Sequence, residues 1–528
     1  MQELFDSGWG LSLIVFLPML AVLIIGFTPR QFEAAQKWVA LIISVVVLVL
    51  SGIMISLFDF SNTQEIQFDV NLSWIDAINA NYHIGVDGIS LPLVALSALI
   101  TLLVVVYSWN HWPEPHNPKL LLVLTMILAT GMTGTFAALD LILFFVFFEV
   151  VLLPMYFMIG IWGDTSLRKV PILNMEVEMR LYASIKFFLF TLAGSAFMLL
   201  GFLALYFESG DVGGSRTFDI LELTALGSAG VFAGSFAFWV FAALFAGFAV
   251  KVPMWPLHTW LPDAHTAAPT IGSVVLAAIL LKLGAYGFIR IAIPILPDEA
   301  INWAWFIGLL AVIGIIYGSL ACLAQTDVKR LIAYSSVGHM GFVMLGISTL
   351  SVIGFNAALI GMIAHGLITG LLFFLAGSMS HRYHTRDMRQ LGGQMILLPQ
   401  MGVLLGFAAM ASLGLPGLAG FWGEFMSLLA SFNPLPALDE TTFRAFMVVA
   451  AVGTVLTAGY MLWMLRSVNF GDPPDRWLNE DLEDVDTIEW VAWAPLVVGI
   501  IAIGVFPKLV FGFTDDAVIN LITRAFGG

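Results

Sequence analysis

Four ionisable residues stand inside stretches that are otherwise apolar over about 20 residues, the length of a membrane-spanning helix. Two are lysines, Lys251 and Lys282, and two are carboxylates, Glu149 and Glu424. A charge at the bilayer centre costs at least about 2.5–3.5 kcal/mol on insertion scales, so such residues are usually functional. Burial favours the neutral form of either group, whereas a nearby opposite charge favours the charged form. A buried amine and carboxylate whose separation changes therefore form a proton switch, and these residues predict proton transfer through the membrane.

The predicted transfer begins with Glu149 close to Lys251 and continues to Lys282 and then Glu424. Weakening the first pair would push its proton onward, because each partner holds the other in its charged form. Glu149 also has a structural interpretation, in which it pairs with a lysine only to hold two helices together. Lys186 lies about one turn inside its predicted span, where it could support the relay or snorkel to the membrane surface.

Histidines suit the bridging positions, since a neutral imidazole accepts a proton at one nitrogen and donates from the other. His258, His265, His339 and His365 all fall in or beside predicted spans. Each could equally be a structural histidine bonded to a backbone carbonyl. Two intramembrane histidines could also ligate a haem between helices, but His339 and His365 alone indicate this only weakly.

The amino-acid composition indicates which kind of secondary structure must position these residues. Hydrophobic residues make up 60% of the 528 and charged residues only 11%, whereas soluble domains are about 25% charged. Backbone groups in lipid must bond within their own segment, and the apolar runs lack the alternation of barrel strands. We predict an all-α polytopic membrane protein of about 14 transmembrane helices. The predicted spans are 10–28, 38–58, 88–109, 119–136, 139–161, 182–207, 231–256, 270–292, 302–323, 328–349, 352–380, 397–430, 446–468 and 489–512.

Two of these segments carry the marks of broken helices. After Lys251 the chain meets Pro253 and Pro256, and before Glu424 it meets Gly414 and Pro416. Proline removes a backbone donor and clashes with the preceding turn, so both helices should break or kink. Paired broken helices in corresponding halves indicate inverted repeats with an ion path near the membrane centre.

We therefore divide the chain into four parts. They are an N-terminal part of three spans with an extracytoplasmic hairpin loop (1–118), a first inverted five-helix repeat (119–292), a second inverted five-helix repeat (302–468), and an acidic connector with a final span (469–528). The segment before the first span has no Lys or Arg and so is not the basic start of a secretory signal, and we expect that span to be retained.

The distribution of Lys and Arg predicts the orientation, because cytoplasmic loops retain positive charge. If both termini are extracytoplasmic, most of these residues fall in the cytoplasmic loops, so we predict that orientation. The net charge of −15 comes from acids concentrated in loops, above all residues 471–489, which we interpret as a solvated connector or subunit contact rather than an ion site. The acidic segment 59–87 is predicted to form an extracytoplasmic hairpin or short strands.

Other chemistries find little support. We find no dinucleotide-binding motif, P-loop, nucleophile elbow or carboxylate–histidine metal spacing. His381 and His384 lie in an arginine-rich loop and are better explained as positive-inside charge than as metal ligands. The single cysteine, Cys322, excludes an intrachain disulfide and a multi-cysteine iron–sulfur site. We expect it to be a buried, inert thiol.

Four stretches resemble the antiporter-like, proton-translocating membrane subunits of respiratory complex I and the related multisubunit sodium/proton antiporters. They read FAVKVPMWPLHTWLPDAHT (248–266), LLKLGAYG (280–287), DVKRLIAYSSVGHMG (327–341) and LPGLAGFWGEF (415–425). The resemblance covers nearly the whole chain. Within the family, the acid Glu424 distinguishes this chain from two sister chains, which are expected to carry lysine there.

The resemblance implies two inverted five-helix repeats, a Glu149–Lys251 pair in the first, Lys282 as the central connector and Glu424 at the exit side. His339 and His365 match family positions between Lys282 and Glu424. It also implies a subunit of a proton-translocating NADH:quinone oxidoreductase in a bacterial cytoplasmic membrane. This chain would hold no redox centre or metal, and FMN and iron–sulfur clusters would reside in partner subunits.

The implied partners are the sister antiporter-like chains L and N, membrane lipid and protons, but no nucleic acid. The alternative is a subunit of a multisubunit sodium/proton antiporter or of a membrane-bound hydrogenase, which shares the same helices and charges. A non-transporting scaffold is disfavoured, because a scaffold does not require four buried ionisable groups.

Overall fold

The structure is a computed structural model that describes residues 1–170 and 175–527, so residues 171–174 of the predicted first repeat lie outside the described part. Helices make up most of the described chain. Those of the N-terminal part are α1 (Gln2–Asp6), α2 (Trp9–Phe27), α3 (Glu33–Leu57) and α4 (Leu91–Tyr107). The next group comprises α5 (Pro118–Ala137), α6 (Leu141–Val150), α7 (Leu152–Trp162), α8 (Met179–Gly213), α9 (Ile220–Ser228), α10 (Gly234–Lys251), α11 (Trp260–Ala267), α12 (Thr270–Val275), α13 (Leu281–Gly287) and α14 (Ile293–Ile295).

The second half of the chain is also built of helices. Its helices are α15 (Pro297–Leu323), α16 (Val328–Ser348), α17 (Val352–Tyr383), α18 (Gln394–Leu397), α19 (Pro399–Ser412), α20 (Ala419–Phe432), α21 (Glu440–Val468), α22 (Asp475–Leu478), α23 (Thr487–Val505) and α24 (Lys508–Phe526). Two π-helical segments, Leu276–Leu280 and Phe288–Ala292, join α12, α13 and α14 into one continuous spanning unit, and short 3-10 turns lie at Asp76–Ile78 and Met388–Gln390.

Helix ends follow ordinary capping chemistry. Asp140, Asp327 and Asp439 each accept a backbone N–H of the helix that follows, as N-cap residues do. Asp486 and Glu489 complete a capping box at the start of α23. Polar caps thus satisfy backbone groups where the apolar helices begin.

The predicted fold class is confirmed. Among the described residues, twelve helices are long and apolar enough to cross a membrane, and α4 and α19 are shorter apolar helices. The count of fourteen spans stays a prediction. The unit Thr270–Ile295 and helix α17 are the most deeply buried spans, whereas α3 and α21 lie at the periphery.

Both broken helices occur where the prolines and glycines predicted them. α10 ends at Lys251 and α11 begins at Trp260, and α19 ends at Ser412 before α20 begins at Ala419. The elements from α5 to α14 and from α15 to α21 follow one another in the order of the two proposed units. Their inverted relationship stays a prediction.

An antiparallel hairpin of β1 (Gln67–Ile75) and β2 (Ala80–Val86) confirms the expected structure of the acidic segment 59–87. The hairpin is joined to the bundle through His83, whose Nδ1 lies 2.5 Å from Asp219 Oδ2 and whose Nε2 lies 2.9 Å from Asp69 Oδ1. We call the end of the bundle formed by this hairpin, α9 and α24 the hairpin face.

The opposite end carries a second, unpredicted hairpin of β3 (Leu167–Val170) and β4 (Met175–Glu178). Arg386 lies at this end, where it bonds to Asp164 and to the Thr266 carbonyl. Arg382 makes a two-point ion pair with Glu489 there, at 2.6 and 2.8 Å. We call this end, which also holds Arg168 and Lys329, the basic face.

One predicted span differs from the observed helices at its end. Span 139–161 is found as one membrane-length stretch, Leu141–Trp162, interrupted at Val151 between α6 and α7. Span 397–430 is the α19–α20 pair, broken as predicted. Span 489–512 was wrong at its end, because α23 stops at Val505 and Pro507 precedes a separate helix, α24. Proline lacks the amide hydrogen that a continuing helix needs, which explains the interruption. Cys322, as expected, is buried near the end of α15, and its thiol lies 3.4 Å from the Leu331 carbonyl.

Candidate functional site

The first broken helix places Lys251 at the end of a half-helix. Beyond Lys251 the chain leaves the helix, and Pro253 and Pro256 lie in this turn without amide hydrogens. The Trp260 indole N–H donates to the Val250 carbonyl at 2.9 Å and ties the two halves together.

Glu149 and Lys251 are neighbours without a closed salt bridge. Lys251 Nζ is buried, has no hydrogen-bond partner among the described residues, and lies 4.6 Å from the centre of the Phe148 ring. Glu149 is the next residue along α6 and is only partly exposed. The aromatic face supplies a cation–π contact in place of a direct carboxylate bond. The amine is therefore held next to a carboxylate that it can approach by a short movement.

Lys282 lies on α13, between the two π-helical segments. Such segments shift backbone hydrogen bonding by one residue and are frequent at functional sites. Here the Lys282 ammonium donates to the Ala277 carbonyl at 2.5 Å, five residues back, and its Nζ lies 2.6 Å from His365 Nδ1. Lys282 is 0% exposed. This lysine cannot snorkel to a membrane surface and is bonded directly to an imidazole.

A second imidazole and a carboxylate extend this contact. The ring of His365 lies edge to face with His339, with centroids 5.8 Å apart. His339 Nδ1 lies 3.0 Å from Glu424 Oε1, and its Nε2 lies 3.0 Å from Ser412 Oγ. Lys282, His365, His339 and Glu424 thus form one run of close contacts, which we call the Lys–His–His–Glu run.

The second broken helix presents Glu424 to this run. Among the described residues, Glu424 Oε2 is buried and has no hydrogen-bond partner. The position of Glu424 is set by close packing of α20 on α17. The two helices approach so closely that a Cβ at Gly423 would lie 2.7 Å from Gly361 Cα. Gly414, with φ +79°, lies in the break, and a Cβ there would be 3.1 Å from Glu424 Oε2. The glycines therefore allow the carboxylate to sit against backbone.

A small internal cavity adjoins the run. It has a volume of about 30 Å³ and is lined by His339, His365, Thr369, Ser412 and Glu424 together with apolar residues. About 10–15 Å³ is enough for one water molecule. His365 Nε2, which has no partner among the described residues, is the kind of buried polar atom that such a water satisfies.

The two lysines are close in the fold but not hydrogen bonded. Helices α10 and α13 touch at Gly284, where a Cβ would lie 2.6 Å from the Phe248 carbonyl and 3.0 Å from Lys251 Cβ. The Lys282 amine points instead to Ala277 and His365. The structure therefore brings four predicted residues into direct contact and leaves Glu149 and Lys251 as a separate neighbouring pair.

Lys186 and His258 lie apart from the Lys–His–His–Glu run. Lys186 Nζ donates to Asp263 Oδ2 and to the Thr259 carbonyl, both at 2.8 Å. Asp263 also accepts a bond of 2.6 Å from Arg168. His258 is buried edge-on against Tyr317, with centroids 4.9 Å apart. Lys186 thus anchors the broken helix at the basic face, an environment that favours its structural interpretation.

Sequence reasoning missed several charged residues of this region. Lys329 was assigned to a cytoplasmic loop, but it is 4% exposed and its amine donates to the Ala268 carbonyl. Its position two residues after the N-cap Asp327 could have indicated a helix start. Although burial opposes it, the Ser166 backbone N–H and the Arg386 guanidinium lower the pKa of Asp164 at the same face.

Among the described residues, one group has metal-like ligand spacing: His111, Asp486 and Glu489. Its carboxylates already have other roles. Glu489 binds Arg382 at two points, and Asp486 caps α23. The histidine nitrogen is 3.6 Å from Glu489 and 3.8 Å from Asp486. We interpret the group as an ion-pair network that joins the segment after α4 to α17 and α23.

Membrane-length helices, two broken helices and buried amines, imidazoles and carboxylates are together the features of an antiporter-like membrane protein. A family model described as "NADH:quinone oxidoreductase/Mrp antiporter, TM" matches residues 138–457. NADH-quinone oxidoreductase subunit M of Rhodobacter capsulatus is 39% identical over 522 residues, covering 97% of this chain and 96% of that protein.

Solved structures agree in fold. A chain of respiratory complex I from Thermus thermophilus is 26% identical, with a TM-score of 0.83 over 98% of this chain and 100% of that chain. A chain of the Mrp complex from Dietzia is 19% identical, with a TM-score of 0.78 over 98% of this chain and 52% of its own, a likeness of fold alone. The chain belongs to the NADH:quinone oxidoreductase/Mrp antiporter transmembrane family.

Proposed function

We propose that this chain is a membrane-arm subunit, of the subunit M type, in a proton-pumping NADH:quinone oxidoreductase. Relatives with that name align along nearly their whole length with this chain. The observation that carries the proton-translocating role is the Lys–His–His–Glu run, in which two hydrogen-bonded pairs are joined by an edge-to-face contact of the two imidazoles. Ionisable groups held inside a membrane protein commonly mark a proton relay.

Proton transfer along the run can be followed atom by atom. The Lys282 ammonium gives a proton to His365 Nδ1, 2.6 Å away. His365 then releases a proton from Nε2 into the adjoining cavity, through which water can carry it to His339. His339 passes a proton from Nδ1 to Glu424 Oε1, 3.0 Å away. Each imidazole accepts at one nitrogen and donates from the other.

Glu149 and Lys251 would supply Lys282. In this proposal, movement of Glu149 toward Lys251 holds the amine charged, and separation releases its proton toward α13. The ring of Phe148 keeps Lys251 close to Glu149 without closing the pair. His258 and Lys186 support the broken helix around this pair and are not steps in the transfer.

Redox chemistry would take place in other subunits. We propose that this chain carries no redox centre and that FMN and iron–sulfur clusters reside in partner subunits of the complex. The sister antiporter-like chains L and N would be its neighbours in the membrane arm. We further propose a bacterial cytoplasmic membrane, with the basic face cytoplasmic and both termini extracytoplasmic, because positive charge stays inside.

The alternative function is that of a subunit in a sodium/proton antiporter or a membrane-bound hydrogenase. The likeness to the Mrp complex supports the shared fold only. Purification separates the two functions, because the proposed complex should bring flavin and iron–sulfur subunits with this chain. Their absence from an intact, active complex would favour the alternative.

The test of the proposed function uses Lys282→Met and Glu424→Gln in membranes that contain the assembled complex. Both changes keep the size of the side chain and remove its titration. We expect NADH-driven proton uptake by inverted vesicles to be largely lost, with assembly retained. Lys508→Met and Glu440→Gln, at exposed positions, are the matched controls. Normal uptake in both test variants would reject a relay through this run.

A further inference from the structure

A cavity at the hairpin face, lined by both apolar and charged residues, ends on a buried ion pair. Its volume is about 340 Å³, room for several water molecules, and its lining includes exposed Glu65 and Arg524 as well as buried Asp87 and Arg290. Water that enters from the hairpin face can therefore reach the Arg290 guanidinium. None of the residues of this cavity takes part in the proposed relay.

Arg290 is fixed by close contacts. One guanidinium nitrogen donates to Asp87 Oδ1 at 2.6 Å, and Nε donates to the Tyr286 hydroxyl oxygen at 3.1 Å. The same Asp87 oxygen accepts the backbone N–H groups of Ile89 and Ser90, each at 3.0 Å. Arg290 is 7% exposed and Asp87 4%. The pair is therefore rigid and meets the cavity through only a small exposed fraction, and charges act strongly in such a poorly solvated setting.

Arg290 also lies on the same spanning unit as Lys282. The unit Thr270–Ile295 has three ionisable side chains, Lys282, Tyr286 and Arg290, spaced four residues apart. Eight helical residues correspond to a rise of about 12 Å. Tyr286 lies between the two cations, and its hydroxyl donates to the Phe136 carbonyl at 2.9 Å while accepting from Arg290. The hydroxyl proton of Tyr286 and one of its oxygen lone pairs are therefore already used in hydrogen bonds.

We propose that Arg290, held by Asp87, is an electrostatic barrier that stops Lys282 from exchanging protons with the hairpin-face cavity. An arginine remains charged and cannot relay a proton by titrating, unlike a lysine or histidine. A fixed positive charge repels an excess proton in adjacent water, as arginines do in other selective pores. The barrier would keep the proton of Lys282 for His365. This inference rests on the proposed relay through Lys282.

The test measures passive proton leak, so it requires no NADH-driven transport. The double variant Arg290→Met with Asp87→Leu removes both charges, because a buried ion pair replaced by apolar residues of similar volume usually preserves folding. The purified complex is placed in liposomes, a pH gradient is imposed without NADH, and its decay is followed. Arg524→Met, at the exposed rim of the same cavity, is the matched control.

We expect the double variant to leak about tenfold faster than wild type, which corresponds to a barrier lower by about 1.4 kcal/mol, because it no longer presents the Arg290 guanidinium to protons in the cavity. Adding Lys282→Met should return the leak to the wild-type rate. An unchanged leak in the double variant, or a leak that persists after Lys282→Met, would overturn the barrier.

Two further measurements keep the result decisive. If the double variant does not assemble, Arg290→Gln with Asp87→Asn provides the answer, since this pair can still form hydrogen bonds but carries no charge. It should also leak, and a tight variant would refute the barrier. Normal NADH-driven pumping by Lys282→Met alone would instead refute the relay. The failure of the barrier and the failure of the proposed function therefore have different readouts.

Discussion

The Lys282 amine and the His365 imidazole meet nitrogen to nitrogen, with Nζ 2.6 Å from Nδ1. At this distance one nitrogen must donate and the other must accept, so the two groups share one proton along their contact. A charged Lys282 requires an unprotonated Nδ1 on His365. The next proton can be accepted only after His365 has released one from Nε2, which makes the contact a one-proton step.

Replacing Glu149 with Gln should abolish most NADH-driven proton uptake while leaving assembly intact. The amide keeps the size of the side chain but removes the charge that stabilises Lys251 as an ammonium. Uptake by inverted vesicles is measured beside NADH oxidation, with exposed Glu440→Gln as the control. Unchanged uptake would leave Glu149 only a helix-pairing role.

A methyl group at Gly423 should weaken pumping without touching any ionisable group. The added Cβ would lie 2.7 Å from Gly361 Cα, so α20 must shift from α17 at a cost of about 1–3 kcal/mol. The shift would lengthen the contact between His339 and Glu424, which is 3.0 Å. Proton uptake by Gly423→Ala is compared with that of Gly459→Ala, a glycine with no heavy atom within 4 Å of an added Cβ. Equal uptake by the two variants would show that this packing does not position Glu424.

Asp263→Asn should destabilise the protein more than it alters proton transfer. Its carboxylate binds Lys186 at 2.8 Å and Arg168 at 2.6 Å. Both cations are partly exposed and can turn toward water, so we expect a loss of about 1–3 kcal/mol rather than the full cost of a buried pair. Thermal unfolding of the solubilised protein measures the loss. Glu440→Gln, which removes an exposed partner of Arg444, should change stability by less than about 0.5 kcal/mol.

The attachment of the hairpin to the bundle should weaken at alkaline pH. Burial opposes the charged form of His83, but its bonds to Asp219 and Asp69 raise the pKa to about 9 from 6.5. Since the folded pKa is raised, this stabilisation is complete below about pH 6.5 and is lost as the pH rises through about 9. The shift corresponds to about 2 kcal/mol after allowance for solvent screening at the exposed Asp69 carboxylate.

Melting temperatures recorded between pH 6 and pH 10 test this expectation. The wild-type protein should lose stability between about pH 6.5 and pH 9 and little more above pH 9, and His83→Gln should lack this component. A His83→Gln curve parallel to that of the wild type would assign the pH dependence to other groups.

The residues that were easiest to identify from the sequence are those that do not fit an ordinary membrane-spanning helix. Charges inside apolar runs indicated Lys282 and Glu424, and prolines indicated the break after Lys251, because each violates the ordinary chemistry of a spanning helix. The contacts among Lys282, His365 and His339 could not be derived from local spacing, since they join residues far apart in the chain.

Three other structural features could not be predicted from the neighbouring sequence. The π-helical segments around Lys282 have an ordinary apolar sequence, and packing of a whole buried helix determines where they form. Lys329 resembled loop charge until the fold buried it under the Ala268 carbonyl. Asp87 and Arg290 are separated by 203 residues, so only the assembled bundle makes them a pair.

The single buried cysteine also makes the chain suitable for chemical mapping. Because Cys322 is enclosed within the bundle, thiol reagents should give little background labelling of the native protein. A cysteine introduced at Ser61 on the hairpin face or at Arg389 on the basic face, both exposed, would be the main reactive group. Membrane-impermeant maleimides applied to intact cells and to inverted vesicles would then report which face meets the cytoplasm, without rebuilding the protein as a cysteine-free variant.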